Sequence, residues 1–562
     1  MNILNNIHPY VVVNDQEIAS GEPRSPGVGI GVYAEIRSMV DECRAHGQPY
    51  VFKCESATTE DFLRIKEAEA FICESPAQTA FGPVQAVSMG VPTIINCQGL
   101  DNVTKGSVIS VCATKGRIFG GKRPVQESSV SKFYRLSWEL IKHSVETGQV
   151  LNLNDAMNSF EQLVRSNDIG RLLIDTVDEQ VQEFWSTITE IRKTTSPKIW
   201  LTTNSTEEIT RARLSTSMFS LVDGELKCQD GKLNLGLIRD ERIWANEKDL
   251  DILRSMIFIS PTDRNYAHVR QIYVNRLSEL LQPLFSLANG ETVVLRTLCM
   301  PLSMLFDFDR DAKYLEQIMG RHIDKSEFEK FHEHEKYSGN RGMRLFTQRP
   351  DYADAWLEGA LRAWEKAVEQ QPNNQTNPRL RLLLPTITLP EEARRFIAIL
   401  ENKIASQEFN ILIESIDGIS IMMETTGAYL LLNDFFHVRG KHLGIDGVMV
   451  GSNDFTATVF SVNREDSTKN IWPGYQLQGV VDESPFSTLN KELVGRAISE
   501  VIRISKEHRA IVGIGGELAG ETRTLEWLTT TDIDYATTAR SSLWQALAAT
   551  SISTNMNNTK ES

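Results

Sequence analysis

From Lys198 onward, short apolar segments alternate with amphipathic helical stretches, and this alternation constrains the fold more than any other feature of the chain. Strands that alternate with helices build parallel sheets, because each helix carries the chain back to the start of the next strand. Eight such segments, several of them plainly followed by helices, predict a closed (β/α)8 barrel. The predicted strands are Ile199–Thr203, Leu235–Arg239, Thr292–Leu298, Met343–Phe346, Leu382–Ile387, Asn410–Glu414, Val448–Gly451 and Ile511–Gly515.

Charged side chains stand at or just beyond the ends of these predicted strands. In α/β barrels, chemistry takes place at the carboxyl ends of the strands. A single polar residue at a strand end carries little information, but six that converge on one rim predict a functional site. The six residues are Arg239, Arg296, Arg344, Glu414, Asp454 and Glu517.

Composition narrows the class of partner. The chain has 562 residues and a formal net charge of -15, which argues against nucleic acid as a partner because phosphate neutralisation needs clustered Lys and Arg. Basic runs that could bind an anionic membrane are absent, and no apolar run is long enough to span a bilayer. The cysteines form no C-x-x-C pair and many lie in apolar segments, and the first ten residues do not resemble a signal peptide. We therefore expect a cytoplasmic protein with reduced thiols that binds a small anionic molecule.

The length implies more than one domain. We expect an N-terminal arm over 1–20, a compact module of alternating strands and helices over 21–125, and a helical connector over 126–195. The barrel then occupies 196–550, and a disordered tail follows over 551–562.

Two carboxylates, Glu414 and Asp454, end consecutive predicted strands. Neighbouring strands lie about 4.8 Å apart, so the two side chains can share one small cation, and carboxylates with water and substrate oxygens suit Mg²⁺. Helix N-caps or surface salt bridges are the alternative interpretation of the same spacing. Arg239, Arg296 and Arg464 can present planar forks to phosphate and carboxylate, and exposed rim charge is the alternative for each of them taken singly.

The order of motifs along the chain resembles the phosphoenolpyruvate-utilising family, which includes pyruvate phosphate dikinase, phosphoenolpyruvate synthase and the first enzyme of the sugar phosphotransferase system. The matching segments are 235–241 (family pattern G-L-x-R-T-E), 340–345 (R-G-x-R-L), 382–392 (L-P-x-x-x-x-x-E-E), 410–415 (M-I-E), 448–456 with Arg464 downstream (G-T-N-D-L-T and arginine) and 513–520 (M-C-G-E-L-A-G). In the N-terminal module, 25–31, 58–70 and 89–92 are similar to the family's swivelling phosphohistidine domain.

The resemblance implies a role for each matched position. Glu414 and Asp454 match the Mg²⁺ ligands, and Asn453 matches an active-site amide beside the metal. The arginines that hold phosphate and carboxylate are matched by Arg239, Arg296 and Arg464, and less closely by Arg344. The resemblance also implies Mg²⁺ as cofactor, phosphoenolpyruvate or a related 2-oxo acid as ligand, and a homodimer formed through the barrel.

Two positions depart from the family pattern. Phe81 occupies the phosphohistidine position, and an arene has no lone pair that could attack phosphorus. Gly515 stands where the family's acid cysteine protonates the enolate carbon of pyruvate, so that acid is also lost. Near Arg296, Cys299 and Met304 replace acidic residues of the family. Cys299 can offer a thiol at the rim or can simply pack in the core.

Three functions remain open at this point. The first is a magnesium-dependent enzyme that stabilises an enolate at the metal or transfers phosphate to an acceptor other than histidine. The second is a catalytically inactive protein that senses phosphoenolpyruvate. The third is a phosphotransferase whose external acceptor enters where the histidine would have swung. The intact metal and arginine set favours an enzyme, and resemblance of fold alone cannot decide.

Overall fold

A computed structural model describes residues 8, 10–11, 17–54, 57, 61–74, 81–229, 231, 233–244, 246–288, 290–333, 339–370, 379–406 and 415–558. Within these ranges the chain forms two closed barrels joined by a helical connector. No described helix is both long and apolar enough to cross a membrane. The described part of the chain contains no disulfide.

The N-terminal barrel has strand order β2-β6-β5-β4-β3-β7-β8, and a separate ribbon pairs β1 with β9. Its strands are β1 Tyr10–Val11, β2 Ala19–Ser25, β3 Val28–Ala34, β4 Tyr50–Cys54, β5 Ala70–Cys73, β6 Thr93–Gln98, β7 Val108–Cys112, β8 Arg117–Gly120 and β9 Val125–Gln126. The helices α1 Arg37–Ala45, α2 Phe62–Lys66 and α3 Phe81–Ser88 connect the parallel strands β3 to β6. The side chains of β4 and β5 alternate between two apolar clusters on either side of the sheet.

The connector is helical, as the charged, helix-periodic sequence predicts. Its helices are α4 Ser129–Glu146, α5 Leu153–Asn158, α6 Phe160–Ser166, α7 Asp168–Ile174 and α8 Glu179–Thr194. Side-chain caps from Ser128, Asn152 and Asp178 begin three of them. Aromatic residues pack the connector onto the C-terminal barrel: the ring of Tyr134 lies 5.2 Å from that of Trp544.

The C-terminal barrel closes in the order β10-β13-β14-β15-β16-β17-β18-β19 with parallel pairing throughout, so the predicted eight-stranded parallel barrel is confirmed. Its strands are β10 Lys198–Thr202, β13 Leu235–Arg239, β14 Thr292–Arg296, β15 Arg379–Leu384, β16 Ile416–Met423, β17 Ile445–Gly451, β18 Ile511–Gly515 and β19 Tyr535–Ala539. An antiparallel hairpin, β11 Met218–Val222 and β12 Glu225–Gln229, is inserted after the first strand.

One of the eight predicted strands is wrong, and one strand of the barrel was not predicted. Met343–Phe346 belongs to a helix that begins after Gly342, whose φ is 56°. A segment this short, with apolar residues at 343, 345 and 346, fits either element, because Met343 and Phe346 also share one helical face. The eighth strand is instead Tyr535–Ala539, which the sequence analysis missed because it contains no run of large aliphatic residues. The prediction over 410–414 lies outside the described residues, and the barrel strand there begins at Ile416.

Helices surround the barrel and fill its outer layer. They are α9 Thr206–Thr216, α10 Asp240–Ile243, α11 Glu247–Phe258, α12 Tyr266–Ser286, α13 Leu302–Leu305, α14 Phe308–Met319, α15 Ser326–Glu329, α16 Met343–Gln348, α17 Pro350–Glu369, α18 Pro390–Ala405, α19 Thr426–Leu430, α20 Leu432–Phe435, α21 Ser452–Phe460, α22 Arg464–Asn470, α23 Trp472–Leu477, α24 Arg496–Glu507, α25 Thr522–Leu528 and α26 Leu543–Asn558. The helix α26 continues to Asn558, and residues 559–562 of the predicted tail lie outside the described residues. Buried Leu543, Ala546 and Leu547 anchor that helix at its start.

The interior of the barrel is packed and is not a channel. Trp200 and Tyr535 stack with ring centroids 3.9 Å apart and lie in one cluster with Leu237, Met422 and Met449. At the amino-terminal end of the strands, Arg381 forms ion pairs with Asp417 at 3.0 Å and with Asp446 at 2.7 Å. Charges at this end are therefore paired with each other, which leaves the carboxyl end for chemistry.

The N-terminal barrel rests on the carboxyl end of the C-terminal barrel through the last turn of α3. The Ser541 hydroxyl donates to the carbonyl of Val87 at 3.1 Å. Gly90 (φ 67°) lies against the guanidinium of Arg540, and a Cβ at Gly90 would be 1.7 Å from Nη2. An alanine here would have to displace this guanidinium and adopt a left-handed backbone conformation, which glycine adopts without strain.

Candidate active site

Two arginines end neighbouring strands of the C-terminal barrel. Arg239 on β13 is in register with Arg296 on β14, so both side chains start from one edge of the sheet. Arg296 is 7% exposed, forms an ion pair with Glu241, and lies 3.6 Å from the sulfur of Met422. The structure thus brings these two predicted residues together at the mouth of the barrel.

Two carboxylates follow the strands β16 and β17, and one of them differs from the prediction. Glu424 comes directly after β16, where its Oε1 accepts hydrogen bonds from the backbone N–H and the hydroxyl of Thr386. Asp454 lies in the first turn of α21, directly after β17. Glu414 itself lies outside the described residues and precedes the first residue of β16. The carboxylate at the carboxyl end of this strand is therefore Glu424.

The two carboxyl groups have opposite pKa shifts. Burial raises the pKa of Glu424, and the negative charge of Asp454 raises it further. Burial also acts to raise the pKa of Asp454, but the guanidinium groups of Arg341 and Arg464 outweigh it and hold that pKa below its usual value. Arg341 Nη2 lies 3.3 Å from Asp454 Oδ2, and Arg464 Nη1 lies 3.9 Å from Oδ1. An additional cation near Glu424 would relieve the repulsion between the two acids.

The donor set fits a magnesium ion better than a zinc ion. No cluster of three or more His, Cys, Asp or Glu suited to a metal occurs in the described part of the chain. Zinc sites normally need three or four such ligands, whereas Mg²⁺ is often held by one or two carboxylates together with water and substrate oxygens. Glu424 and Asp454 supply two carboxylates to one cavity, which is the number that a magnesium site needs.

Arg341 is a site residue that the sequence analysis passed over. It belongs to the motif over 340–345, of which only Arg344 was assigned a role. Arg341 donates from Nε and Nη2 to the sulfur of Cys299, at 3.2 and 3.1 Å, and it also contacts Asp454. Cys299 in turn lies 3.1 Å from the Thr386 hydroxyl. The Cys299 thiol thus belongs to the network that positions both carboxylates, and burial raises its pKa.

Arg344 lies on the helix α16, whereas the sequence analysis placed it on a strand. Its Nη1 donates to the carbonyl of Gly339 at 3.0 Å. The side chain lines a cavity of about 510 Å³ together with Glu424, Asp454 and Arg464. It therefore reaches the predicted site from a different element.

The positive charge at the mouth is only partly compensated. Burial and the neighbouring charges of Arg242 and Arg296 lower the pKa of Arg239 to about 9. Burial also lowers the pKa of Arg242. Neither side chain forms an ion pair with any residue in the described ranges, and an arginine buried beside other arginines favours a bound anion. This part of the site is suited to a phosphate or a carboxylate.

Asn453 and Gly515 lie on neighbouring elements of the same rim. Asn453 precedes Asp454 on α21, and its buried Oδ1 has no hydrogen-bond partner among the residues with described positions. Gly515 ends β18, where an added Cβ would be 3.1 Å from Thr537 Cγ2 and 3.2 Å from Met449 Sδ. A Cβ at this position would therefore contact both side chains tightly, and they would have to shift by a few tenths of an ångström to admit it.

Phe81 is the first residue of α3. The residues that contact the C-terminal barrel, Val87 and Gly90, lie at the opposite end of this helix. An eight-residue helix is about 12 Å long, so Phe81, the predicted phosphohistidine position, is separated from the docking contact by about that length.

Comparison with known proteins agrees with the motifs. A model of the PEP-binding domain of PEP-utilising enzymes matches residues 200–551, which is more than half of the chain, and the chain belongs to this family. Pyruvate, phosphate dikinase 2 of Zea mays is 21% identical over 551 residues, covering 93% of this chain and 53% of that protein. The pyruvate, phosphate dikinases of Rickettsia typhi (22% identical, 92% of this chain and 52% of that protein) and Rhizobium meliloti (21% identical, 94% and 53%) match similarly. The chain spans about half the length of these curated relatives.

Proposed function

We propose that this chain is an enzyme that binds phosphoenolpyruvate or pyruvate at the mouth of the C-terminal barrel. The observation that carries the proposal is the buried and only partly compensated charge of Arg239, which acts on Asp454, beside the carboxylate pair of Glu424 and Asp454. A molecule with a phosphate and a carboxylate on neighbouring atoms satisfies both features at once. Relatives named pyruvate, phosphate dikinase support the same ligand class.

Each side chain then has a role that its position allows. Arg239, Arg296 and Arg464 bind the phosphate and the carboxylate. Asn453 contacts a substrate oxygen, and Arg344 closes the outer side of the cavity. Glu424 and Asp454 would hold Mg²⁺, which supplies positive charge next to the oxygens of a 2-oxo acid.

Of the two chemistries open to such a site, transfer of the phosphoryl group fits better than reaction at C3 of the enolate. Gly515 offers no acid for C3, and a side-chain atom added there would be in tight contact with Thr537 and Met449. We propose that the N-terminal barrel is a degenerate phosphohistidine module, since Phe81 cannot accept phosphate. A homodimer through the barrel and the domain boundaries remain predictions.

Calorimetry with oxalate and with phosphoenolpyruvate, each with and without Mg²⁺, tests the ligand and the metal. We expect Mg²⁺-dependent binding that Glu424→Gln and Asp454→Asn weaken at least tenfold, a loss of about 1.4 kcal/mol. Glu414→Gln is the matched control and should bind like the wild type. Equal affinity without Mg²⁺, or a loss confined to Glu414→Gln, would contradict the assignment.

A phosphoenolpyruvate sensor without turnover is the second candidate, and the loss of both reactive side chains, at Phe81 and Gly515, favours it. The two functions differ in one measurement. A sensor binds phosphoenolpyruvate and releases no pyruvate, whereas the enzyme releases pyruvate when a suitable acceptor is present.

A further inference from the structure

A second cavity lies beside the mouth, between the N-terminal barrel, the connector and the C-terminal barrel. Its volume is about 700 Å³. The N-terminal barrel contributes Met89 and Pro92 to its wall, and the connector contributes Arg135 and Trp138. The C-terminal barrel contributes Asn204, Glu208 and Arg242. The docked module therefore forms one wall of this cavity and does not fill the space.

The cavity adjoins the phosphate-binding part of the proposed site. Asn204 lines the cavity, and its Oδ1 accepts a hydrogen bond from the backbone N–H of Arg239 at 3.0 Å. Arg242 also lines it, and the charge of Arg242 interacts both with Glu208 in the cavity and with Glu241 at the mouth. The charge of Arg242 also acts on the guanidinium of Arg239, so Arg242 connects the cavity with the arginine that we expect to hold the phosphate.

Glu208 is an unusual group for such a wall. It is 7% exposed, its Oε2 accepts from the Thr203 hydroxyl at 3.1 Å, and its Oε1 accepts no hydrogen bond within the described ranges. A buried carboxyl oxygen without a donor is costly unless a ligand or a proton satisfies it. Its neighbour Glu207 is more exposed and forms an ion pair with Arg211 at 3.6 Å.

We propose that this cavity binds the phosphoryl acceptor, a small hydroxylated molecule with a negative charge, and that Glu208 is the general base that takes the proton of its hydroxyl. The negative charge of the acceptor is matched to Arg242, which has no ion pair among the described residues. The inference rests on the proposed function, because it needs phosphoenolpyruvate at the mouth.

The proposed step balances without a further reactant. The acceptor hydroxyl gives its proton to Glu208 while its oxygen forms a bond to phosphorus. The bond from phosphorus to the enol oxygen breaks, and its electron pair stays on that oxygen as the enolate of pyruvate. The enolate takes a proton at C3 from water, and Glu208 returns its proton to water. The products are pyruvate and a phosphate ester of the acceptor.

The titration of Glu208 suits this role. Burial raises its pKa to about 7, against the opposing effects of Arg540, of hydrogen bonds from Thr203 and from the Asn204 backbone, and of Arg242. A general base works best when its pKa is close to the operating pH. The rate of transfer should therefore rise with pH and level off above about 7.

The test follows pyruvate release from phosphoenolpyruvate and Mg²⁺ by the full-length protein, with water alone, glycerol or D-glycerate as acceptor, and ³¹P NMR identifies the esters. We expect D-glycerate to act at lower concentration than glycerol, a difference that Arg242→Gln should abolish. Glu208→Gln should lower the rate about 10²–10⁴-fold and remove the pH dependence, with the affinity for phosphoenolpyruvate unchanged. Glu208→Asp should retain part of the rate, and Glu207→Gln should behave like the wild type.

Each failure has a distinct meaning. Binding of phosphoenolpyruvate without pyruvate release by the wild type, for all three acceptors, overturns the acceptor site and leaves the proposed ligand standing. No binding at all overturns the proposed function itself. A Glu208→Gln variant that keeps its rate and its pH profile removes Glu208 as the base. If the wild type uses glycerol and D-glycerate equally well, the proposal that the acceptor carries a negative charge is wrong. The wild-type pH profile is informative even if the variants do not fold.

Discussion

The substitution Asp240→Asn tests whether the raised pKa of Asp240, a buried carboxyl group next to Arg239, makes the stability of the protein depend on pH. Its side chain is fully buried directly after Arg239, and neither carboxyl oxygen has a hydrogen-bond partner among the described residues. Burial, followed by the charge of Glu241, raises the pKa of Asp240 to about 8, although the indoles of Trp356 and Trp244 act in the opposite direction. The family motif has threonine at this position, so the acid is a departure of this chain.

The direction in which pH changes the stability follows from the pKa of Asp240 in the native and in the unfolded state. An unfolded aspartate titrates near pH 4, whereas native Asp240 titrates at about 8. Between these values the native state holds a proton that the unfolded state has released, so stability is highest below pH 4 and falls as the pH rises towards 8. The slope is about 1.4 kcal/mol per pH unit, which amounts to about 4 kcal/mol at pH 7. Asparagine does not titrate and avoids this loss.

The loss translates into a measurable shift of the melting temperature. For a barrel of roughly 350 residues the entropy of unfolding is about 0.7 kcal/mol per degree, so each pH unit corresponds to about 2 °C. Thermal unfolding at pH 5, 6 and 7 should show Asp240→Asn gaining about 2 °C on the wild type at each step. Asp434→Asn, at an exposed position, is the control and should show no such trend. Parallel curves for wild type and variant, or a variant that is less stable at every pH, would show that Asp240 is ionised and paired.

Three further predictions concern the lost chemistry and the docked module. Gly90→Ala should separate the N-terminal barrel from Arg540 and increase the radius of gyration in X-ray scattering, whereas Gly121→Ala, at a similar φ of 73° in open space, should not; equal radii would contradict the contact. The wild type should exchange the methyl protons of pyruvate slowly in heavy water, and Gly515→Cys should accelerate the exchange; fast exchange by the wild type would point to another acid. Labelled phosphoenolpyruvate should leave no acid-labile phosphate at Phe81 or on a nearby residue, and a labelled protein would mean that another histidine has taken over.

The eight-stranded barrel could be predicted from the sequence because the burial of its strands determines their hydrophobic pattern. Parallel strands buried on both faces read as continuous apolar runs, and six of the eight strands carry such runs where the prediction placed them. The strand Tyr535–Ala539 was missed because it contains small and hydroxyl side chains: Thr537 Oγ1 lies 2.7 Å from Thr202 Oγ1 on the neighbouring strand β10. Hydrophobic periodicity does not detect a strand of this kind.

The site was predicted in part, for a related reason. Arg239, Arg296 and Asp454 follow clear apolar strands, and the structure places them at one rim. Glu414, which lies outside the described residues, follows Ile411-Leu412-Ile413, a run as apolar as the Met422-Met423 that precedes Glu424. The pairing of β16 with both of its neighbours places Glu424 at the carboxyl end of a barrel strand, and the local sequence does not show this pairing. Contacts that depend on tertiary packing, such as that of Arg341 with Cys299, leave no local signal.

The pKa of Glu208, the proposed general base, depends on whether the N-terminal barrel is docked. The carbonyl end of α3 carries partial negative charge, which favours the nearby Arg540 guanidinium, and Gly90 lets the two approach. The same Arg540 is the largest opposing influence on the raised pKa of Glu208, and the module supplies one wall of the cavity that this carboxyl lines. Undocking would admit water to Glu208 and move its pKa back towards that of an exposed glutamate. Gly90→Ala should therefore shift the pH profile of pyruvate release to lower pH and slow the transfer. On this proposal the N-terminal barrel is needed as the wall that tunes the pKa of Glu208.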